Sequence, residues 1–190
     1  MMIYEKLEST FEKYTGKSQC GGMKNNDTIE HLMMIMSIVK DLERGKQGII
    51  LTFCDIKKCF DRCHLDDMMY NLLKHEVDIK AIRMFQRTSG ENFLRIQGGK
   101  KYINIKRGLG QGGVNAPRAY SGGITECHER YTIHHSDPVS HNGINVPSMG
   151  CVDDAALIDK TARGAKVSGM IITNTFGELA LDAHPDKTVQ

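Results

Sequence analysis

Carboxylates are rare in apolar strands, yet this chain places them in two. Asp55 ends the run ILTFCD, and the adjacent Asp153 and Asp154 sit inside GCVDDAALI. A lone buried carboxylate costs several kcal/mol unless something positive meets it. The two sites are distant in sequence, each is built into a strand-like stretch, and a glycine-rich element, RGLGQGGVNAP, lies between them. A fold that brings both to a shared divalent metal resolves the conflict.

Mg²⁺ takes oxygen ligands at about 2.0 to 2.1 Å and is usually held by one or two carboxylates plus substrate phosphates. Carboxylates from two neighbouring strands make such a half-filled site. Successive strand residues point to opposite faces, so Asp153 and Asp154 share a target only if the backbone turns between them. The expectation is Asp55 and Asp153 as the main pair, with Asp154 as a secondary ligand. Two ions about 3.5 to 4 Å apart can activate an attacking hydroxyl and neutralise a departing pyrophosphate, which is phosphoryl transfer. The competing reading makes Asp55 the cap of a helix starting near Lys57 and leaves Asp153 and Asp154 in an exposed turn.

The length of 190 residues fits one domain with a sizeable core. With 40% hydrophobic and 25% charged residues the chain reads as globular, and no apolar run reaches membrane-span length. The start, MMIYEKLESTFEKY, lacks a signal-peptide core, so the expectation is an intracellular protein without a membrane partner. A net charge of +2 does not by itself imply nucleic acid, although Lys100, Lys101, Lys106 and Arg107 gather, as do Lys57 and Lys58. Such clusters are ordinarily solvated faces. The six cysteines form no CxxC pair and read as reduced thiols, and Cys59, Cys63 and His64 match no standard zinc spacing.

Periodicity predicts a helix from about Thr28 to Arg44, capped by Asp27 with Glu30 and closed by Gly45, with Ile29, Leu32, Met33, Met36 and Val39 as a core stripe. Ile49 to Cys54 reads as a strand covered on both faces. Two helices follow, around Leu65 to Leu73 and Ile79 to Phe85. Asn92 to Gln97 and Lys101 to Arg107 read as a hairpin, and the stretch from Pro117 to about His134 as a helix weakened by Gly122 and Gly123. A further hairpin has Ile144 and Val146 on one arm and Met149 to Ile158, carrying both aspartates, on the other. Ala165 to Leu181 reads as a last helix. The irregular alternation points to an α+β fold, an antiparallel sheet packed on helices. Gly108, Gly110, Gly112 and Gly113 would let backbone approach a ligand, with Gln111 offering a donor and an acceptor.

In order, these segments resemble the palm of reverse transcriptases, most closely the non-long-terminal-repeat retrotransposon and group II intron type. FCDIKKCFDR resembles the first palm motif, GLGQGGVNAP the motif QGxxxSP, CVDDAAL the aromatic-x-Asp-Asp hairpin, and LALDAHPDKT a later palm motif. Upstream, QCGGMKNNDT is similar to the segment QxGFRxGxST. The resemblance implies that Asp55, Asp153 and Asp154 bind two Mg²⁺, or Mn²⁺ in their place, and that the Ile56 carbonyl adds a ligand. Phe60 would lie against the sugar of the incoming nucleotide and exclude a 2′-hydroxyl. Gln111 and Gly112 would touch nucleotide and template, and Lys187 would approach the triphosphate as a general acid.

The implied activity is RNA-templated DNA synthesis, with an RNA template, a DNA primer and dNTPs as partners. Residues 1–47 and about 78–107 would be fingers-like, and 48–77 and 108–190 palm. The sequence departs from the motifs where Cys151 replaces the aromatic, Ala116 the serine, Gly110 the proline before Gln111, and Gly22 and Met23 the Phe and Arg of the upstream segment. The expectation is a fingers and palm fragment with impaired activity, whose thumb and other domains belong to a larger polyprotein. The alternative is a catalytically inactive retroelement remnant that at most binds nucleic acid. An RNA-templated RNA polymerase shares the palm but disagrees with the bulky Phe60.

Overall fold

The computed structural model describes residues 2–15, 18–20, 28–89, 92–95, 102–105, 107–110, 116–135, 137–184 and 188. The elements in order are α1 (Met2–Tyr14), α2 (Thr28–Arg44), β1 (Ile50–Asp55), α3 (Cys59–Arg62), α4 (Leu65–Lys74), α5 (Ile79–Ser89), β2 (Asn92–Arg95) and β3 (Tyr102–Ile105). They continue with α6 (Ala116–Gly123), α7 (Thr125–His134), β4 (Ser140–His141), β5 (Ile144–Asn145), β6 (Ser148–Cys151), β7 (Asp154–Asp159) and α8 (Ala162–Glu178). The central sheet is antiparallel with strand order β1-β7-β6, and β2-β3 and β4-β5 are separate two-stranded pairs. The α+β expectation stands.

Each face of the sheet has its own core, which is why the strands read as near-continuous apolar runs. On one face Cys54, Ala155 and Leu157 join Leu7, Phe11, Met68, Leu72, Phe85, Tyr120 and Phe176 from the helices. The Phe11 and Phe85 rings meet edge to face at 5.3 Å, a favoured geometry for an aromatic pair. On the other face Ile38 and Leu42 of α2 pack on Val139, Met149 and Ile158.

The structure corrects several sequence expectations. Helix α1 exists although no element was expected before Thr28, and Leu7 and Phe11 are fully buried. The methionine-rich stripe of α2 is not core: Ile29, Leu32, Met33 and Met36 are 52 to 65% exposed, and only Ile38 and Leu42 of that helix are buried. Periodicity finds an apolar face but not what covers it. The expected helix from Pro117 to His134 is broken at Ile124, and the Asn71 amide of α4 donates to the Gly123 carbonyl at 2.9 Å beside the break. Met149 to Ile158 is not one arm of a hairpin but a whole one, β6 and β7, while Ile144 pairs with His141. The cap expected at Asp27 lies outside the described residues.

One glycine of the glycine-rich element has a structural rather than a ligand-binding reason. Gly108 adopts φ +95°, and a Cβ there would lie 2.8 Å from the Phe60 carbonyl oxygen and 3.0 Å from that of Asp61. Its N–H donates to the Cys63 carbonyl at 2.9 Å and the Leu109 N–H to the Phe60 carbonyl at 2.7 Å, clamping the loop to α3. Gly108→Ala should therefore destabilise the fold by about 1–3 kcal/mol. At Gly48, where an added Cβ meets nothing within 4 Å, alanine should cost less than about 0.5 kcal/mol. Urea denaturation midpoints of the two variants measure the contrast, and equal midpoints would refute the clamp.

Candidate catalytic site at the end of the sheet

β1 and β7 pair in a register that sets Cys54 opposite Ala155 and Asp55 opposite Asp154. Directly opposed residues share a face of the ladder. Asp55 and Asp154 accordingly line one groove of about 380 Å³ between the sheet and α2, together with His31, Leu32, Phe53 and Cys151. β6 pairs Cys151 with Asp154, which leaves Val152 and Asp153 as the turn. Val152 holds φ 59°, a left-handed conformation that costs a β-branched residue about 1–3 kcal/mol.

The turn takes Asp153 out of the strand alternation. Its backbone carbonyl accepts from Ile56 N–H at 3.2 Å. Its carboxylate hydrogen-bonds the Cys59 thiol, whose pKa is pushed up to about 12 by burial and then by Asp153, so the S–H stays a donor. Burial likewise raises the Tyr120 phenol well above its usual range, with the Asp153 charge contributing. The sequence expectation paired Asp55 first with Asp153. On the ladder its cross-strand neighbour is Asp154, and Asp153 meets β1 through the backbone at Ile56.

The capping alternative for Asp55 does not describe this site, because the N-cap of α3 is Lys58, without a side-chain cap bond. Among the described residues no three His, Cys, Asp or Glu side chains converge closely enough to hold an ion by themselves. Two carboxylates opposed on a ladder nevertheless repel one another. Hard oxygen donors at the rim of an open groove fit a divalent ion whose remaining ligands are water and substrate phosphate.

Both edges of the sheet carry chain from other motifs to this end. Ile56 forms an antiparallel bridge with Ala183, built by the flanking groups: Lys57 N–H donates to the Asp182 carbonyl at 2.9 Å and His184 N–H to the Asp55 carbonyl at 2.7 Å. The segment LALDAHPDKT thus begins against Asp55. On the opposite edge Gln19 forms a parallel bridge with Gly150. Phe60, in α3, is half-buried with its ring 5.2 Å from that of Tyr120. Gln111, Gly112 and Lys187 lie outside the described residues.

The family model for reverse transcriptase (RNA-dependent DNA polymerase) matches residues 1–190. The chain belongs to the reverse transcriptase family. Among curated proteins none matches it. Of solved structures, apo telomerase from Candida tropicalis, truncated from its C-terminal domain, is similar over 99% of this chain at TM-score 0.73 and 16% identity. Telomerase from Candida albicans, in complex with a fragment of telomeric RNA, is similar over 99% at TM-score 0.68 and 14% identity. The reverse transcriptase chain spans only 39% and 32% of those two proteins, and at such identity the likeness concerns the fold. Among the described residues no helix is long and apolar enough to cross a membrane.

Sequence reasoning assigned no role to Gln19 or His128, which lie buried behind the Val152–Asp153 turn of the reverse transcriptase chain. Their mutual contact spans 109 residues, and no local pattern signals it. A glutamine opening the upstream motif was the one available hint. Burial lowers the His128 pKa from 6.5 to about 4. Between those values the unfolded chain binds the proton and the folded one does not, so stability rises with pH across the window. This contribution is complete above about pH 6.5 and is lost as pH falls toward 4, to the extent of about 3 kcal/mol. The unfolding free energy of His128→Asn should lack that part of the slope. Parallel profiles for variant and wild type from pH 7 to 4 would contradict it.

Proposed function

We propose that this chain is the palm and part of the fingers of an RNA-directed DNA polymerase. The reaction is attack of a primer 3′-hydroxyl on the α-phosphate of a deoxynucleotide, releasing pyrophosphate, directed by an RNA template. One observation carries the reading: Asp55 and Asp154 face each other across the ladder while Asp153 occupies the adjoining turn. Asp55 and Asp154 at the rim of the groove are hard oxygen donors of the kind that hold divalent ions together with water and substrate phosphate.

Asp55, Asp153 and Asp154, with the Ile56 carbonyl, would hold two Mg²⁺ or Mn²⁺. When bound, such ions lower the pKa of the primer hydroxyl and offset charge on the leaving pyrophosphate. Phe60, braced by Tyr120, would lie against the sugar and disfavour a 2′-hydroxyl. Gln111 and Gly112 would contact the nucleotide and template, and Lys187 would donate a proton to the pyrophosphate. The entry of LALDAHPDKT beside Asp55 supports that placement of Lys187.

Residues 1–47 and about 78–107 serve as fingers and 48–77 and 108–190 as palm in this reading. The motif resemblance favours a retrotransposon or group II intron type, and the RNA bound by the similar Candida albicans telomerase is consistent with an RNA partner. A second reading, an inactive nucleic-acid-binding remnant of a retroelement, is favoured by Cys151 and Ala116 at motif positions that ordinarily carry an aromatic and a serine.

Metal titration separates the readings. Mn²⁺ or Mg²⁺ at a hundred times its dissociation constant should stabilise the wild type by about 2.7 kcal/mol. The double variant Asp55→Ala, Asp153→Ala should gain nothing, and identical thermal shifts in both proteins would remove the polymerase reading.

Primer extension on an RNA template with dNTPs or NTPs then tests the sugar gate. Phe60→Val should raise the NTP to dNTP ratio of kcat/KM by about tenfold or more. An unchanged ratio would return Phe60 to a packing role.

A further inference from the structure

The turn that carries Asp153 and leads into Asp154 begins at a residue whose backbone is unfavourable, so something must hold it there. The structure shows what does. Val152 N–H donates to Gln19 Oε1 at 3.1 Å. Gln19 Nε2 lies 3.2 Å from His128 Nε2, and His128 Nδ1 lies 3.2 Å from Ser148 Oγ. Gln19, His128 and Ser148 are 1 to 3% exposed, so no bulk water competes for these contacts.

The proton positions follow from chemistry. A backbone N–H can only donate, so the oxygen of the Gln19 amide must face Val152 and its NH₂ must face His128. The NH₂ can only donate, so His128 Nε2 must be the bare acceptor. The neutral ring then carries its proton on Nδ1, which donates to Ser148 Oγ. Burial keeps the ring in that neutral form. One backbone donor in the turn thereby fixes the orientation of every group behind it.

The packing permits no slack. Cys20 N–H donates to the Gly150 carbonyl at 2.9 Å and Gly150 N–H to the Ser18 carbonyl at 2.6 Å, which aligns the segment around Gln19 with β6. A Cβ on Gly150 would sit 2.6 Å from Gln19 Nε2 and 3.0 Å from His128 Cε1. The missing side chain at Gly150 is the space through which Gln19 reaches the turn.

We infer that Gln19 and His128 are positioning residues: Gln19 holds the catalytic turn by its Val152 N–H, and His128 holds Gln19 in the orientation that accepts it. Neither touches substrate. Their effect on activity rests on the reading of Asp153 and Asp154 as catalytic acids, where a displacement of about 1 Å can cost a hundredfold. Their effect on the turn does not rest on it.

Gln19→Met keeps the length and bulk of the side chain and removes the acceptor. Gln19→Glu keeps an oxygen for Val152 and offers a second to His128, which can pair with it by moving its proton to Nε2. Two quantities are measured on the full chain: amide exchange at Val152 by NMR, and binding of Mn²⁺ alone by electron paramagnetic resonance. Gln19→Met should speed Val152 exchange at least about tenfold and weaken Mn²⁺ binding several-fold, with Gln19→Glu restoring most of both. Packing alone predicts the reverse order, with the charged variant worse.

Val152 protection equal to wild type in folded Gln19→Met overturns the inference. If that variant does not fold, His128→Asn supplies the comparison. It frees the Gln19 amide to rotate and should raise Val152 exchange several-fold, and no change again overturns the inference. Were wild type and the Asp55→Ala, Asp153→Ala double variant to bind Mn²⁺ equally, the polymerase reading would fail, and Val152 exchange would still decide whether Gln19 holds the turn.

Discussion

The antiparallel pairing of β1 with β7 is the constraint from which the rest of the site follows. Its register fixes which face each residue takes, and a slip of one residue would move every side chain of β1 to the other face. Such a slip would carry Asp55 away from the groove and turn Cys54 and Thr52, both buried here, onto the face that the acid now takes. Two cores, one on each face, make the register unambiguous: Cys54, Ala155 and Leu157 belong to the first, Met149 and Ile158 to the second. The position of the acids is thus set by apolar packing rather than by the acids themselves.

The sheet end is also where distant segments converge. The bridge at Ala183 and the bridge at Gln19 cap opposite edges of the same three strands. Helix α3, held by the Gly108 clamp, supplies Cys59 to Asp153 and Phe60 to Tyr120. Much of what surrounds Asp153 is neutral and buried, including the Cys59 thiol and the Tyr120 phenol, both raised in pKa chiefly by burial. The Asp153 carboxylate accepts a hydrogen bond from the Cys59 thiol.

Much of the architecture was legible because local rules and tertiary packing agree. The bounds of α2 follow from its apolar spacing and its closing glycine, and the strand ending at Asp55 from a short run too brief for a helix. Other features were illegible for physical reasons. The exposure of Leu32 and Met33 depends on what lies over α2, which periodicity does not encode. The turn between Asp153 and its strand could be posed as a condition but not seen, since a valine at positive φ is the opposite of a turn signal. The partner of Asp55 depended on register, and Gln19 and His128 on contacts across 133 and 109 residues.

The strand order has a consequence for how the chain is made. β7, the middle strand, is the last of the sheet to be synthesised, and β1 precedes it by roughly a hundred residues. During translation at about 5–20 residues per second, β1 must wait several seconds for its partner. In that interval its hydrogen-bonding edge and the apolar run ILTFC are open to other chains. The nascent polypeptide is most exposed to aggregation in the window that closes when the β6–β7 hairpin emerges and β1 docks beside it.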